Sequence, residues 1–427
     1  MISLILFGLL AILLFMSVPI AVSLGIASTA ALLISGKVSG SYVPQGLVTS
    51  IDSFPLMAVP FFILAGDLMG RGGLSQRLIN VARILFGRYT GGMAIITVVT
   101  CIFFAAISGS GPATVAAIGM ILLPAMAKDG YKKGFSAGLV ACSGSLGVII
   151  PPSIPMVIYA TSANVSVSKM FMGGILPGLM IGVTLLVYAW WQSRADGQKP
   201  SDYRPSRKES LAIVNDAKWA LMVPVIILGG IYGGIFTPTE AAAVGVIYGL
   251  FVGVFVYREL DLKGLYQIFA GSALTSATIM LIVGTATIFG RALAIEGVPV
   301  LLANAITSSV DQVWILLLAI NVVLLVVGTF METIAAIIIL TPILLPLVTA
   351  LGVSPEHFGI MMIVNLAIGM VTPPVGVNLF VASRVSGLTL ETVIKGAIVP
   401  TFLMILVLLV ITYVPAITLA LPTFFGM

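Results

Sequence analysis

The chain has 427 residues, of which 59% are hydrophobic and only 8% are charged, and its formal net charge is +5. Soluble domains carry roughly 25% charged residues, so this composition excludes an ordinary soluble protein. The basic residues lie in loops beside apolar runs, which predicts a role in membrane topology and argues against a nucleic-acid partner.

Apolar runs of about 20 residues follow one another along the chain, and each is long enough to span a bilayer. They predict an all-α polytopic membrane protein. The first 35 residues lack a basic n-region and an Ala-x-Ala cleavage site, so we expect a retained membrane helix and not a signal peptide. Helices are predicted near Pro55–Met69 and Gly91–Ile107, with an arginine-containing loop between them.

Residues 1–193 form the first predicted half of the protein. This half contains a hairpin at about 106–127 and a broken helix at about 135–163. A polar, proline-containing stretch follows at 194–218, and its many Lys and Arg residues predict a cytoplasmic linker.

The second predicted half, residues 219–427, repeats the first more loosely. It contains a hairpin at about 328–350 and a broken helix at about 358–383. The turn after the first hairpin, Lys128–Lys133, is basic and should face the cytoplasm, whereas the turn after the second, Leu351–His357, has no Lys or Arg. The two hairpins are therefore predicted to be re-entrant from opposite membrane faces, as inverted repeats require.

A sequence repeat at one fixed offset supports this division. Ile121–Pro124 recurs as Ile343–Pro346, and the same offset carries the pair Pro151-Pro152 onto Pro373-Pro374. Broken apolar segments at matching places in two halves indicate the binding site of a transporter. The repeat therefore predicts function as well as fold.

The first hairpin carries two serines, two glycines and a proline within Ser108–Thr114, which cannot continue a regular helix. Irregular backbone survives at membrane depth only when it is buried in protein or lines a wet cavity. Freed carbonyls and the hydroxyls of Ser108 and Ser110 are hard oxygen ligands that suit Na⁺. Amides of the following half-helix could instead face an anion, and the small residues could simply pack helices.

Each double proline removes two amide donors, so nearby carbonyls such as those of Gly147, Val148 and Ile150 lose helical partners. A bound cation could replace those partners. In the second break Thr372 adds a hydroxyl and Asn378 adds an amide. The alternative is a pair of proline kinks whose backbone groups are satisfied by neighbouring helices.

Two charged residues within apolar stretches are further candidates. Glu332 could balance a cation, hold an inner hydrogen-bond network or relay a proton. Arg291 could bind a substrate carboxylate through two hydrogen bonds, or could extend to the membrane interface. The sequence leaves these alternatives open.

Together these motifs resemble the large membrane subunit of tripartite ATP-independent periplasmic (TRAP) transporters, the DctM-like family that includes sialic-acid transporter large subunits. The resemblance covers essentially the whole chain, and it is carried by Ser108–Thr114, Gly144–Pro155, Gly328–Glu332, Leu340–Pro346 and Thr372–Asn378. It implies an elevator-type fold with a scaffold and a transport domain, Na⁺ as coupling ion and no other cofactor. It also implies a bacterial inner-membrane location and two partners: a small four-helix membrane subunit, expected as a separate polypeptide, and a periplasmic substrate-binding protein.

The resemblance also implies binding residues. One Na⁺ site would use Ser108, Ser110, Gly147, Ile150 and Pro152. The second would use Gly328, Gly369, Thr372 and Pro374. The substrate would lie between the hairpins near Ser153, Arg291 and Glu332, which stands where the family often has aspartate, and we add Asn378 to this set.

The leading hypothesis is therefore a Na⁺-coupled permease that imports a small organic anion such as a dicarboxylate, sialic acid or sugar acid. The nearest alternative is a stand-alone ion-coupled anion transporter of a related inverted-hairpin family. An intramembrane enzyme using Ser108 or Ser110 with Lys128 lacks a positioned base, and the single histidine, His357, argues against a Ser-His pair. A passive channel has little need for two broken-helix sites, and no Gly-x-x-x-x-Gly-Lys-Ser/Thr run supports ATP use.

Overall fold

The computed structural model describes residues 2–200, 205–298, 301 and 312–426, and the regular elements in these residues are helices. The first eleven are α1 (Ile2–Phe15), α2 (Ile20–Ser35), α3 (Tyr42–Ile51), α4 (Ala58–Arg71), α5 (Leu74–Phe86), α6 (Gly92–Ser108), α7 (Gly111–Lys128), α8 (Lys133–Gly144), α9 (Leu146–Ile149), α10 (Ile154–Ala163) and α11 (Val167–Ala195).

Nine further helices in the described ranges begin within or after the predicted linker. They are α12 (Arg207–Tyr232), α13 (Pro238–Phe251), α14 (Leu262–Ile295), α15 (Val313–Phe330), α16 (Thr333–Ala350), α17 (Pro355–Gly369), α18 (Val377–Ser386), α19 (Leu390–Tyr413) and α20 (Ala416–Phe424).

Nine helices among the described residues are long and apolar enough to cross a membrane. A bent pair, Lys133–Ile149 with Ile154–Ala163, turns by 41° at its break and makes ten if it counts as one span. The prediction of an all-α polytopic membrane protein is therefore confirmed. The re-entrant course of the hairpins stays a prediction.

The loop predicted between Pro55–Met69 and Gly91–Ile107 instead contains the helix α5. Its apolar residues, such as Leu74, Leu78 and Ile79, are buried on one face, while Arg77 forms ion pairs with Asp216 at 3.1 Å and Glu259 at 2.6 Å. Arg77 and Arg83 therefore belong to an amphipathic helix, whereas Arg71 ends α4 and Arg88 follows α5.

Part of the predicted linker at 194–218 is also helical, because α12 already begins at Arg207. A capping box starts it: Glu209 N donates to Ser206 Oγ at 3.2 Å, and Ser206 N donates to the Glu209 carboxylate at 2.8 Å. Residues 201–204 of the linker lie outside the described residues. The cytoplasmic position of the linker stays a prediction.

The sequence repeat reappears in the helix boundaries. The offset that carries Ile121 onto Ile343 also carries both ends of α7 onto the ends of α16, and the start of α8 onto the start of α17. A further break separates α17 from α18, as one separates α9 from α10. The second helices of the two hairpins therefore lie at equivalent positions, and each is followed by a helical segment interrupted by a break.

Helix α19 relates the ends of the two repeats to each other. Gly134, at the start of α8, lies beside Thr392 near the start of α19, because an added Cβ would be 3.2 Å from the Thr392 carbonyl oxygen. His357, at the start of α17, lies beside Thr412 near the end of α19, where its Nε2 is 3.1 Å from the Thr412 carbonyl oxygen. Thr392 and Thr412 are separated by about 30 Å along a helix, which matches the hydrocarbon thickness. The turns after α7 and α16 therefore lie at opposite ends of one spanning helix, as inverted repeats require.

The helices form two packed groups. Helix α4 packs against α13 and α14, and α14 in turn contacts α2 and α3. We call these five helices the outer group. Helices α6–α10 and α16–α19 form the inner group, in which α8 packs against α7 and α19, and α10 against α16. The groups meet where α4 contacts α6 and where α14 contacts α16.

Candidate functional site

The connection between α6 and α7 is a hydrogen-bonded tip. Helix α6 ends because Gly109 adopts a left-handed φ of 59°, and Ser110 caps α7 by accepting a hydrogen bond from the Ala113 amide at 3.5 Å. Thr114 Oγ1 donates to the carbonyl oxygen of Ser110 at 2.8 Å and also shares a hydrogen bond of 2.8 Å with the Ser108 hydroxyl. The tip therefore carries several oxygen atoms in a fixed arrangement.

The first break lies directly against this tip. Between α9 and α10 the chain is extended at Ile150, and Ser153 Oγ donates to the carbonyl oxygen of Val148 at 2.6 Å. A Cβ added to Gly147 would overlap the Ser110 carbonyl, and one added to Gly109 would lie 3.2 Å from the carbonyl oxygen of Pro152. The structure thus brings together the residues predicted for the first Na⁺ site.

The second break gathers the other predicted ion-binding residues. Gly328 and Gly369 approach so closely that a Cβ on Gly328 would lie 3.1 Å from Gly369 Cα. The Gly376 amide donates to the carbonyl oxygen of Thr329 at 2.9 Å and so ties the segment containing Pro374 to the end of α15. Thr372 Oγ1 donates to the Ile368 carbonyl at 2.8 Å, which leaves its oxygen lone pairs free to accept or to ligate a cation.

Neutral oxygen atoms predominate at both breaks. Among the described residues, no group of three or more His, Cys, Asp and Glu residues could hold a metal ion. Carbonyl and hydroxyl oxygens are the donors that hard cations prefer. The donor chemistry therefore fits a small hard cation such as an alkali ion.

One cavity of about 820 Å³ reaches the tip, residues that flank both breaks and part of the outer group, and we call it the central cavity. It lies between α4 and α14 of the outer group on one side and α7 and the start of α16 on the other. Its lining includes Asp67, Arg71, Ser75, Ser108, Ser110, Val148, Ile154, Pro155, Thr275, Thr278, Glu332, Thr333, Met370 and Val377.

The predicted substrate residues have different positions relative to this cavity. Glu332 lines it and caps α16 by accepting a hydrogen bond from the Ala335 amide at 3.0 Å. Ser153 and Asn378 are fully buried beside it: Asn378 Nδ2 donates to the Ala141 carbonyl at 3.3 Å, while its Oδ1 has no hydrogen-bond partner among the described residues. Arg291 is not part of the lining and lies next to Gly46 of α3.

Two charged residues of α4 line the central cavity one helical turn apart. Asp67 Oδ2 accepts a hydrogen bond from Ser272 Oγ at 2.5 Å, which joins α4 to α14. Arg71 is the last residue of α4 and is exposed. Their i, i+4 spacing places both on one helix face.

A polytopic helical protein in which residues beside two helix breaks line one cavity has the architecture of a secondary transporter. Residues 7–417 match the family described as the DctM component of the tripartite ATP-independent periplasmic transporter. The chain therefore belongs to the DctM family of TRAP transporter large permeases.

Named relatives agree with this assignment. The chain is 54% identical to the isethionate TRAP transporter permease protein DctMQ of Oleidesulfovibrio alaskensis, over 99% of this chain but only 66% of that protein's length. It is 43% identical to the C4-dicarboxylate TRAP transporter large permease protein DctM of Pseudomonas aeruginosa over 95% of each chain. It is 37% identical to the sialic acid TRAP transporter large permease protein SiaM of Vibrio cholerae, over 97% of this chain and 96% of the relative.

A solved structure shares the fold. The YdaH transporter of Alcanivorax borkumensis superposes with a TM-score of 0.65 over 87% of this chain and 88% of its own. The two chains are 16% identical in sequence, so the similarity concerns the fold alone.

Proposed function

We propose that this chain is the large permease subunit of a Na⁺-coupled secondary transporter that imports a small organic anion across the bacterial inner membrane. The observation that carries the proposal is the central cavity, because residues that flank both breaks and residues at the starts of α7 and α16 line one space. A cavity of about 820 Å³ lies in the size range of small-molecule sites. Ion and substrate would therefore bind within reach of the same helices.

The arrangement of oxygen atoms supports Na⁺ as the coupled ion. The first set comprises the hydroxyls of Ser108 and Ser110 with carbonyls of the first break, and the second comprises Thr372 with carbonyls near Gly328. Each set is built from a break in a helix at membrane depth, where a cation would satisfy carbonyls that have lost their helical donors.

The substrate class follows from the chemistry that the relatives' names share. Isethionate, C4-dicarboxylates and sialic acid are small organic anions that carry a sulfonate or a carboxylate. We propose an anion of this kind, and isethionate is the first to test because the relative named for it is 54% identical. We also propose the two partners of a tripartite transporter, a small four-helix membrane subunit and a periplasmic substrate-binding protein.

A paired substitution tests the proposed ion sites. Ser110→Ala combined with Thr372→Ala removes one hydroxyl from each site, and we expect the Na⁺ concentration for half-maximal uptake to rise about tenfold, or about 1.4 kcal/mol. The measurement is uptake by the reconstituted transporter over a series of Na⁺ concentrations. The control pair, Ser41→Ala with Thr49→Ala, removes two exposed hydroxyls near α3. Unchanged Na⁺ dependence in the first pair would refute the assigned ion sites.

A further inference from the structure

Arg71 is the only Lys or Arg that lines the central cavity in the described part of the chain. The two carboxylates in the lining already accept hydrogen bonds, Asp67 from the Ser272 hydroxyl and Glu332 from the Ala335 amide. The guanidinium of Arg71 has no hydrogen-bond or ion-pair partner among the described residues. The cavity therefore holds one uncommitted cationic group.

The nearby Arg77 shows how an arginine with a structural role is held in this region. Its guanidinium pairs with Asp216 at 3.1 Å and Glu259 at 2.6 Å, and it lies 3.5 Å from the centre of the Tyr257 ring. These contacts join α5 to α12 and to the segment before α14. Arg71 has no such contacts, although acidic residues are present at this end of the molecule, so a structural ion pair does not account for it.

The position of Arg71 places it on the path of a leaving substrate. Arg71 ends α4 and Ser75 follows on α5, and both line the central cavity at the end that also carries the Arg77–Asp216 pair. The positive-inside rule assigns this end to the cytoplasm because the basic linker lies there. An anion that moves from the breaks towards the cytoplasm would therefore meet Arg71.

We propose that Arg71 binds the anionic group of the substrate within the central cavity and thereby selects for anions. A guanidinium forms two parallel hydrogen bonds with a carboxylate or sulfonate, and such charged bonds strengthen where water is partly excluded. This inference rests on the proposed function and gives Arg71 the role that the sequence had suggested for Arg291. The guanidinium of Arg291 lies beside α3, away from the cavity lining.

The test compares Arg71→Gln, Arg71→Lys and Arg88→Gln in the complete transporter. Thermal stabilisation of the purified membrane complex by isethionate, succinate or N-acetylneuraminate, measured in Na⁺, gives the half-saturating anion concentration, and uptake into liposomes gives the rate. We expect Arg71→Gln to raise the half-saturating concentration about tenfold or more, as loss of a charged hydrogen bond should, and Arg71→Lys to restore part of the affinity. Arg88→Gln removes the same charge from the same side without touching the cavity, so we expect wild-type affinity.

The possible outcomes separate this inference from the proposed function. If the wild-type complex neither binds nor transports any of the three anions, the proposed function fails and the inference fails with it. If the wild type binds an anion and Arg71→Gln binds it equally well, only the inference is overturned. Equal losses in Arg71→Gln and Arg88→Gln would also overturn it.

Discussion

Ser110 and Glu332 occupy equivalent positions in the two repeats, and each caps the second helix of its hairpin, α7 or α16. Each side chain accepts a hydrogen bond from the amide three residues further on, Ala113 in one case and Ala335 in the other. The structural role is the same but the chemistry differs, because one cap is a neutral hydroxyl and the other a carboxylate. The two repeats therefore do not build identical sites.

Gly147 provides a test at the scale of one residue. A Cβ at this position would overlap the Ser110 carbonyl and crowd the Thr114 hydroxyl, and both are hydrogen-bonded within the tip that carries Ser108 and Ser110 of the first proposed ion site. We expect Gly147→Ala to impose about 1–3 kcal/mol of overpacking and to raise the Na⁺ concentration for half-maximal uptake about tenfold. Gly271→Ala is the control, because no atom lies within 4 Å of the added Cβ. Normal Na⁺ dependence in Gly147→Ala would mean that the tip and the first break do not share an ion.

At the scale of helices, the sequence predicted where helices break better than it predicted helices that carry charged residues. The double prolines and the Ser/Gly-rich tip mark positions where a helix must end, so local residue chemistry sufficed to locate them. The sequence did not reveal α5 or the early start of α12, because charged residues interrupt their apolar pattern. It also favoured Arg291 over Arg71, because which arginine faces a cavity depends on packing between segments far apart in the chain.

The contact between α8 and α19 provides a test at the scale of helices. A Cβ on Gly396 would overlap the Gly134 backbone, and one on Gly138 would overlap Gly396 itself, so the two helices touch through glycines. We expect Gly396→Ala to destabilise the purified protein by about 1–3 kcal/mol, measured as a lower midpoint of thermal denaturation. Gly271→Ala should be neutral or slightly stabilising, as replacement of an unobstructed helical glycine usually is. Equal midpoints for the two variants would contradict the close packing.

At the scale of the whole molecule, the inverted arrangement can be tested by chemical labelling. Lys128 and Ala350 end the equivalent helices α7 and α16, and both are exposed. We expect a membrane-impermeant maleimide to label Lys128→Cys only from the cytoplasmic side and Ala350→Cys only from the periplasmic side. The parent chain is the control, since Cys101 and Cys142 have no exposed surface. Labelling of both variants from one side would rule out inverted repeats.

For the whole transporter, the central proposal is that a Na⁺ gradient drives uptake of an organic anion that a binding protein delivers. The direct measurement is isethionate uptake into liposomes that contain the large and small subunits, with an inward Na⁺ or K⁺ gradient and with or without the cognate binding protein. We predict accumulation only when the Na⁺ gradient and the binding protein are both present. Equal uptake under a K⁺ gradient would contradict the coupling, and equal uptake without the binding protein would identify a stand-alone transporter.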